Sequence, residues 1–225
     1  ETHREAVEEI FQSVEDLSEA DRIFERLFES AGNGKGDFGA GIALIRQDGR
    51  CLGLSLTFSQ RDSYVIFCRN LITEGYLTDR ILEYIGRGGR VAAAGLKEQL
   101  PGLYEVDQKT GWSREDTGLY ASFFDVSVAA YLLNPLKDSY LPEDIARGYL
   151  ELTVPSWADR FGKLSCEAAM QEKEKEFITW CCYQSYVPYL AAPVLMKKLG
   201  EEKMDRLFLE IEMPLVFTLY EMEQR

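Results

Sequence analysis

Apolar residues recur at intervals of three and four positions from Val7 to Leu17, and again from Ala20 to Phe28. This spacing predicts two amphipathic helices within the first 30 residues, with Ser18 as the N-cap of the second. The glycine-rich stretch 32–36 comes next. It predicts a flexible linker rather than a phosphate-binding loop, because it does not follow a strand and lacks a closing Gly-Lys-Ser/Thr.

Short runs of β-branched and aromatic residues dominate the next part of the chain and predict strands over 39–46, 51–58 and 63–68. Asp48 and Gly49 form a strong hairpin signal between the first two runs. The three runs therefore predict an antiparallel meander.

Helical and strand patterns alternate after the meander. We expect a helix over 73–85, a short strand over 90–93 and a second helix over 95–104. Strands that alternate with helices in this way predict an α/β fold.

The second half of the chain has a mainly helical pattern. Asp125 stands where the N-cap of a helix beginning near Val126 should be, and Asn134 should end that helix because a proline follows it. Pro142 suits the first turn of the next helix. From residue 165 onward we expect helices that are kinked or interrupted at the prolines Pro188, Pro193 and Pro214.

Composition and charge narrow the function classes. Of 225 residues, 46% are hydrophobic, which is enough for a full core and excludes disorder of the chain's body. No apolar run approaches the length of a membrane helix and no leader opens the chain, so we expect a cytoplasmic protein without membrane contact. The net charge of −13 opposes tight binding of nucleic acid by this chain alone.

The scarcity of metal-ligating and redox residues excludes further classes of function. His3 is the only histidine, which excludes histidine-dependent triads and multi-histidine metal sites. Five cysteines without a Cys-x-x-Cys pair indicate reduced thiols, with Cys181 and Cys182 interpreted as packing residues. We expect no bound cofactor.

Three stretches resemble one protein family. The residues from Phe124 to Pro135, with the sequence Ala-Ala-Tyr-Leu-Leu-Asn-Pro at their end, resemble a segment of bacterial DNA polymerase I of family A. The stretch 140–150 is similar to the helix that follows there, and 211–223 to the helix that leads into the polymerase domain. Leu52 to Ser55 also fits a strand of that family, and the order and spacing of these motifs agree.

The resemblance covers about residues 38–225 and implies a ribonuclease-H-like 3′–5′ exonuclease domain. It implies three parts: an N-terminal helical segment and linker over 1–36, the exonuclease-like domain over 37–200, and a helix over 201–225 leading into a polymerase domain. In active relatives, carboxylates hold two divalent metals about 4 Å apart, which position the attacking water and the leaving oxygen. Since residue 1 is Glu, we expect the chain to be a piece of a longer protein.

The family's carboxylate motifs are all changed in this chain. The first motif, Asp-x-Glu on the first strand, falls on the apolar positions Ile42 and Leu44. The acid of the second motif corresponds to Gln99. In the third motif, Tyr-x-x-x-Asp on a late helix, Trp180 replaces the Tyr and Gln184 replaces the Asp.

Loss of every carboxylate implies that no metal binds and that the domain is catalytically silent, with Trp180 helping to fill the former cleft. Its expected partners are the polymerase and 5′ nuclease domains of the same chain, with DNA reached through the full-length DNA-directed DNA polymerase in replication and repair. One alternative is an active exonuclease with acids relocated to Asp37, Asp48, Glu98 or Asp125. Another is a stand-alone α/β protein-binding module.

Several conspicuous residues have a structural interpretation that we favour over a functional one. Asp125 is expected to be a helix cap rather than a metal ligand. The basic stretch Gly86–Arg90 is expected to be a helix-end turn rather than a phosphate contact. The remaining candidates are aromatic residues that could stack on bases but are expected in the core: Trp180, Tyr183, Tyr186 and Tyr189.

Overall fold

The computed structural model describes residues 2–31, 38–105 and 118–225. Asp37 and the glycine-rich stretch 32–36 lie outside the described residues. No helix within these ranges is long and apolar enough to cross a membrane.

The strands of the described ranges form one mixed sheet with the order β1-β4-β3-β2-β5-β6. β2, β3 and β4 pair antiparallel, while β1, β5 and β6 join parallel to their neighbours. The strand bounds are β1 Phe11–Val14, β2 Ala40–Gln47, β3 Arg50–Thr57, β4 Ser63–Phe67, β5 Val91–Ala93 and β6 Phe123–Asp125. The predicted meander and the α/β class are therefore confirmed.

Helices surround this sheet, and the longest, α9, packs against its central strands β2 and β3. A short 3₁₀ helix precedes β6, and a π-helical turn separates α10 from α11. The helices are α1 Thr2–Glu8, α2 Leu17–Ser30, α3 Glu74–Gly86, α4 Leu96–Gln99, α5 Val126–Leu133, α6 Pro142–Tyr149, α7 Trp157–Phe161, α8 Cys166–Glu172, α9 Glu174–Glu201, α10 Asp205–Leu207 and α11 Met213–Glu223.

The predicted first helix is wrong in its second half. It stops at Glu8, and Phe11–Val14 instead forms β1, which pairs with β4. Phe11 packs edge-on against the rings of Tyr183 and Tyr186 of α9. Packing on α9 and pairing with an exposed strand edge thus outweigh the helical spacing of the apolar residues.

Three local predictions also differ from the structure. The N-cap of α2 is Asp16, which accepts the Glu19 N–H, rather than Ser18. The helix predicted over 95–104 stops at Gln99, because Pro101 has no backbone N–H to continue the helical hydrogen bonds. α9 continues through Pro188 and Pro193, so the interruption that was one of the two expected effects of these prolines does not occur.

Asp125 joins the beginnings of two helices. One of its carboxylate oxygens accepts the N–H groups of Ser127 and Val128 at 2.9 and 3.2 Å, which caps α5. The carboxylate also accepts the N–H groups of Gly95 and Leu96, at 3.3 and 2.8 Å, at the start of α4. Burial raises the pKa of the Asp125 carboxyl, and the four N–H donors oppose this shift. The Asp125 carboxylate thus has a structural role, because its oxygens accept hydrogen bonds from four backbone N–H groups.

Replacing Asp125 with alanine should lower the free energy of unfolding by about 3 kcal/mol, because buried N–H groups at two helix starts lose their acceptor. Urea unfolding followed by circular dichroism measures the loss. Asp125→Asn keeps one acceptor oxygen and should lose less. Asp16→Ala, which removes an exposed cap, should also lose less; an equal loss in Asp125→Ala and Asp16→Ala would contradict the double-cap role.

Candidate functional site

The strand corresponding to the first metal motif, β2, lies directly against α9. A Cβ atom added at Gly41 would lie 2.2 Å from the backbone oxygen of Ser185 and 2.9 Å from the backbone nitrogen of Tyr189. Real Cβ atoms do not approach other atoms this closely, so residue 41 must be glycine for α9 to pack here. No side chain fits between this part of β2 and the helix.

Alternation along β2 decides which of its side chains face α9. Gly41 faces the helix, so Ala43 and Ile45 share its face, and both pack in a core cluster with Cys181 and Cys182 of α9. Ile42 and Leu44 point to the opposite face and belong to the larger core cluster. The side chains of Ile42 and Leu44 therefore point away from α9, and those of Ala43 and Ile45 point toward it.

Gln99 does contact the first strand, through the backbone. Its side-chain Oε1 accepts the N–H of Leu44 at 2.5 Å. Among the described residues β5 pairs with β2 at Ala40 and Gly41 only, so beyond Gly41 this edge of β2 has no described strand partner. Gln99 fills part of that gap, whereas Glu98 is exposed to solvent.

Gln184 and Trp180 contact each other one turn apart on α9. The Gln184 amide donates to the backbone oxygen of Trp180 at 3.2 Å. The Trp180 ring packs against Trp157, with centroids 4.7 Å apart, and against Phe177. Trp180 therefore fills the space between α7 and α9. The hydrogen bonds found among the described residues do not join Gln184 to Gln99.

A buried hydroxyl network between the sheet and α9 was missed by the sequence analysis. Ser185 Oγ bonds to Ser55 Oγ at 2.6 Å and to Thr57 Oγ1 at 2.8 Å, and Thr57 bonds to Ser63 at 2.8 Å. All four side chains are fully buried. The one indication in the sequence was that Ser55 and Thr57 stand two residues apart on a predicted strand, so that both hydroxyls lie on the same face of the sheet. These groups are neutral and satisfy one another, so they make a poor site for a divalent cation.

Of the acids considered as relocated ligands, the three that the structure describes form no common cluster. Asp48 lies in the exposed turn between β2 and β3, Glu98 is exposed, and Asp125 is buried under two helix starts. Across residues 2–31, 38–105 and 118–225, no group of three His, Cys, Asp or Glu side chains could hold a metal ion.

The other candidate residues have structural surroundings. Cys181 and Cys182 are fully buried free thiols, and burial raises the pKa of both. Arg87 pairs with Glu83 at 2.9 Å, and the Arg90 guanidinium lies 4.1 Å from the centre of the Phe38 ring. The basic stretch 86–90 thus begins in the last residue of α3 and packs on its neighbours.

The aromatic series on α9 divides between core and pocket. Tyr183 is buried and donates to Glu8 at 3.0 Å, and Tyr186 is buried beside Phe11. Tyr189 lines an open pocket of about 550 Å³ together with Phe58 and other side chains from α2 and α9. This pocket lies toward the other end of α9 from Trp180.

The mixed sheet, its antiparallel meander and the surrounding helices define a ribonuclease-H-like α/β fold. No family model matches the chain, and no curated protein sequence matches it significantly. Fold comparison nevertheless finds solved structures that are similar to it.

One similar structure is the POL domain of Pol1 from M. smegmatis in complex with DNA primer-template and dNTP, with a TM-score of 0.62 and 18% identity over 94% of this chain. Another is Brucella melitensis NrnC, with a TM-score of 0.62 and 11% identity over 95% of this chain. A protein from Bifidobacterium adolescentis matches 92% of this chain with a TM-score of 0.61 and 13% identity, over 45% of its own length. The chain spans 31% of the polymerase chain but 92% of the NrnC chain.

Replacing Gly41 with alanine should lower the free energy of unfolding by about 3 kcal/mol, because the added methyl overlaps the backbone of α9. Urea unfolding measures the loss. Gly200→Ala is the matched control: it lies near the end of the same helix with no atom within 4 Å of an added Cβ. That control should be neutral or slightly stabilising, and a neutral Gly41→Ala would show that α9 does not press on β2.

Proposed function

We propose that this chain is a catalytically silent 3′–5′ exonuclease-like domain of a DNA polymerase I, with a structural role in a longer polymerase chain. The observation that carries the proposal is a hydrogen bond between uncharged groups at positions that correspond to the family's first and second carboxylate motifs. Gln99 accepts the Leu44 N–H, where the resemblance implies a metal-binding carboxylate.

The requirements of two-metal catalysis support the proposal that the domain is catalytically silent. Two divalent cations require several convergent carboxylates, because neutral amides and hydroxyls do not balance their charge. Gln99 is occupied by a backbone N–H, Gln184 by a backbone oxygen, and the nearby hydroxyls by one another. At Gly41, moreover, the helix leaves no room for a side chain.

An exposed apolar stripe on the C-terminal helical segment supports the structural role. The opposite face of the segment is buried, with Phe208, Met213 and Phe217 in the core. A stripe of this kind on a strongly acidic domain is typical of a contact surface. Its residues recur mostly every four positions and are 38 to 59% exposed: Leu207, Ile211, Leu215, Leu219 and Met222.

The motif resemblance supports a particular partner for this stripe. Residues 211–223 resemble the family's helix that leads into the polymerase domain, so we assign the stripe to contact with that domain. The proposed arrangement has an N-terminal segment over 1–36 that follows a 5′ nuclease domain and contributes β1 to the sheet, the silent domain over 37–200, and the connecting helical segment over 201–225. The full-length protein would then be a cytoplasmic bacterial DNA-directed DNA polymerase acting in replication and repair.

DNA contact belongs, in this proposal, to the full-length protein rather than to this domain. The net charge of −13 repels a polyanion and leaves few cations to release counterions from phosphates. Several of the arginines are moreover paired with acids, among them Arg26 with Asp62 and Arg69 with Glu15.

The test is incubation of the purified chain with end-labelled single-stranded DNA and millimolar Mg²⁺ or Mn²⁺. We expect no release of nucleotides above a chelator-treated control, because the described residues include no carboxylate cluster that could bind the metals. Gel or chromatographic separation of the products measures release.

Steady release that a chelator abolishes would overturn silence and favour the alternative of relocated acids. Glu98→Gln and Asp48→Asn then identify the ligands, because both acids are exposed and their replacement should not disturb the core. Loss of release in either variant assigns the metal to that acid. Release that survives both variants points to a contaminating nuclease or to another acid, which repurification distinguishes.

A further inference from the structure

Two cysteine thiols on neighbouring strands lie in contact outside the site described above. The Sγ atoms of Cys51 on β3 and Cys68, just after β4, are 3.7 Å apart. Cys51 is 6% exposed and Cys68 is partly exposed. Both are free thiols in this structure.

A β-bulge explains why the two thiols meet. The register between β2 and β3 shifts between Ile45 and Arg46, so that Ile45 pairs with Gly53 and Arg46 with Cys51. Leu52 is the extra residue, and Cys51 turns to the face of the sheet opposite α9. The Cys68 N–H donates to Leu52 O at 2.9 Å, which places the two cysteines diagonally across the antiparallel pair.

We propose that Cys51 and Cys68 form an oxidisable dithiol, a modification site at which a peroxide-class oxidant produces an intrachain disulfide. In the first step the Cys51 thiolate, which accepts the hydrogen bond from the Cys68 thiol, takes one oxygen atom of hydrogen peroxide to form a sulfenic acid, and hydroxide leaves. In the second step the Cys68 sulfur displaces the sulfenic oxygen, which leaves as water. Together, two thiols and one peroxide give one disulfide and two waters, and the sulfurs lose the two electrons that the peroxide gains.

Exposure and neighbouring groups favour this pair over the other cysteines. Cys181 and Cys182 are fully buried, and burial raises the pKa of each thiol. The hydrogen bond from Cys68 lowers the pKa of Cys51, so the pair yields its first proton more readily than an isolated buried thiol. Closing the sulfur distance from 3.7 Å to the disulfide length of about 2.05 Å lies within the reach of side-chain rotation.

The test treats the 225-residue chain with hydrogen peroxide, followed by non-reducing peptide mapping by mass spectrometry. We expect one intrachain link between Cys51 and Cys68 and a rise in Tm of about 5 °C, which a reducing agent reverses. Cys68→Ser should abolish both the link and the rise. Cys166→Ser, which removes another partly exposed thiol, should leave both unchanged.

Other products would overturn the proposal. These are oxidation of Cys51 or Cys68 to sulfinic acid without a link, a link to Cys166, Cys181 or Cys182, or a link between two chains. If Cys68→Ser does not fold, Cys68→Ala provides the same test with an apolar replacement. A peroxide-induced rise in Tm that persists in the folded Cys68 variant would likewise show that the Cys51–Cys68 pair does not cause it.

Discussion

The close approach of α9 to β2 is the constraint on which the rest of the structure depends. Because a Cβ at Gly41 would lie 2.2 Å from Ser185 O, the helix backbone rests directly on the strand. This approach brings Ser185 within hydrogen-bond distance of Ser55 and Thr57, and Cys181 and Cys182 into the core with Ala43 and Ile45. A single glycine thus sets the spacing between the helix and the centre of the sheet.

The same approach shapes the candidate site. In a two-metal nuclease, the first strand and the late helix must stand far enough apart for carboxylates and cations. Here the helix lies against the strand, and the side chains at the motif positions serve the fold. Gln99 satisfies the open edge of β2, and Trp180 packs against Trp157. Asp125, a conspicuous buried acid, is occupied by four backbone N–H groups.

Local patterns predicted most of the fold and part of the site. The meander followed from strand runs and the Asp48-Gly49 turn, and the cap position of Asp125 from its place before an apolar run. β1 was missed because its spacing also fits a helix, and the long-range contacts that decide for a strand are its pairing with β4 and the packing of Phe11 on α9. The facing residues of β2 were missed because sequence gives alternation but not which face meets the helix. The hydroxyl network was missed because Ser185 is 128 and more residues from its partners along the chain.

We propose that neutral groups occupy the positions where the resemblance implies a metal site, and one atom offers a direct test. The Leu44 amide proton points at Gln99 Oε1, so a cation bound at the motif positions would lie close to it. Titration of the ¹⁵N-labelled chain with Mn²⁺, followed by amide NMR line widths, measures that proximity directly. We expect the Leu44 and Gln184 amides to broaden no more than other buried amides, while amides beside exposed acids broaden first. Selective broadening at Leu44, Gln99 and Gln184 at submillimolar Mn²⁺ would show that these positions bind metal and would contradict the proposed silent site.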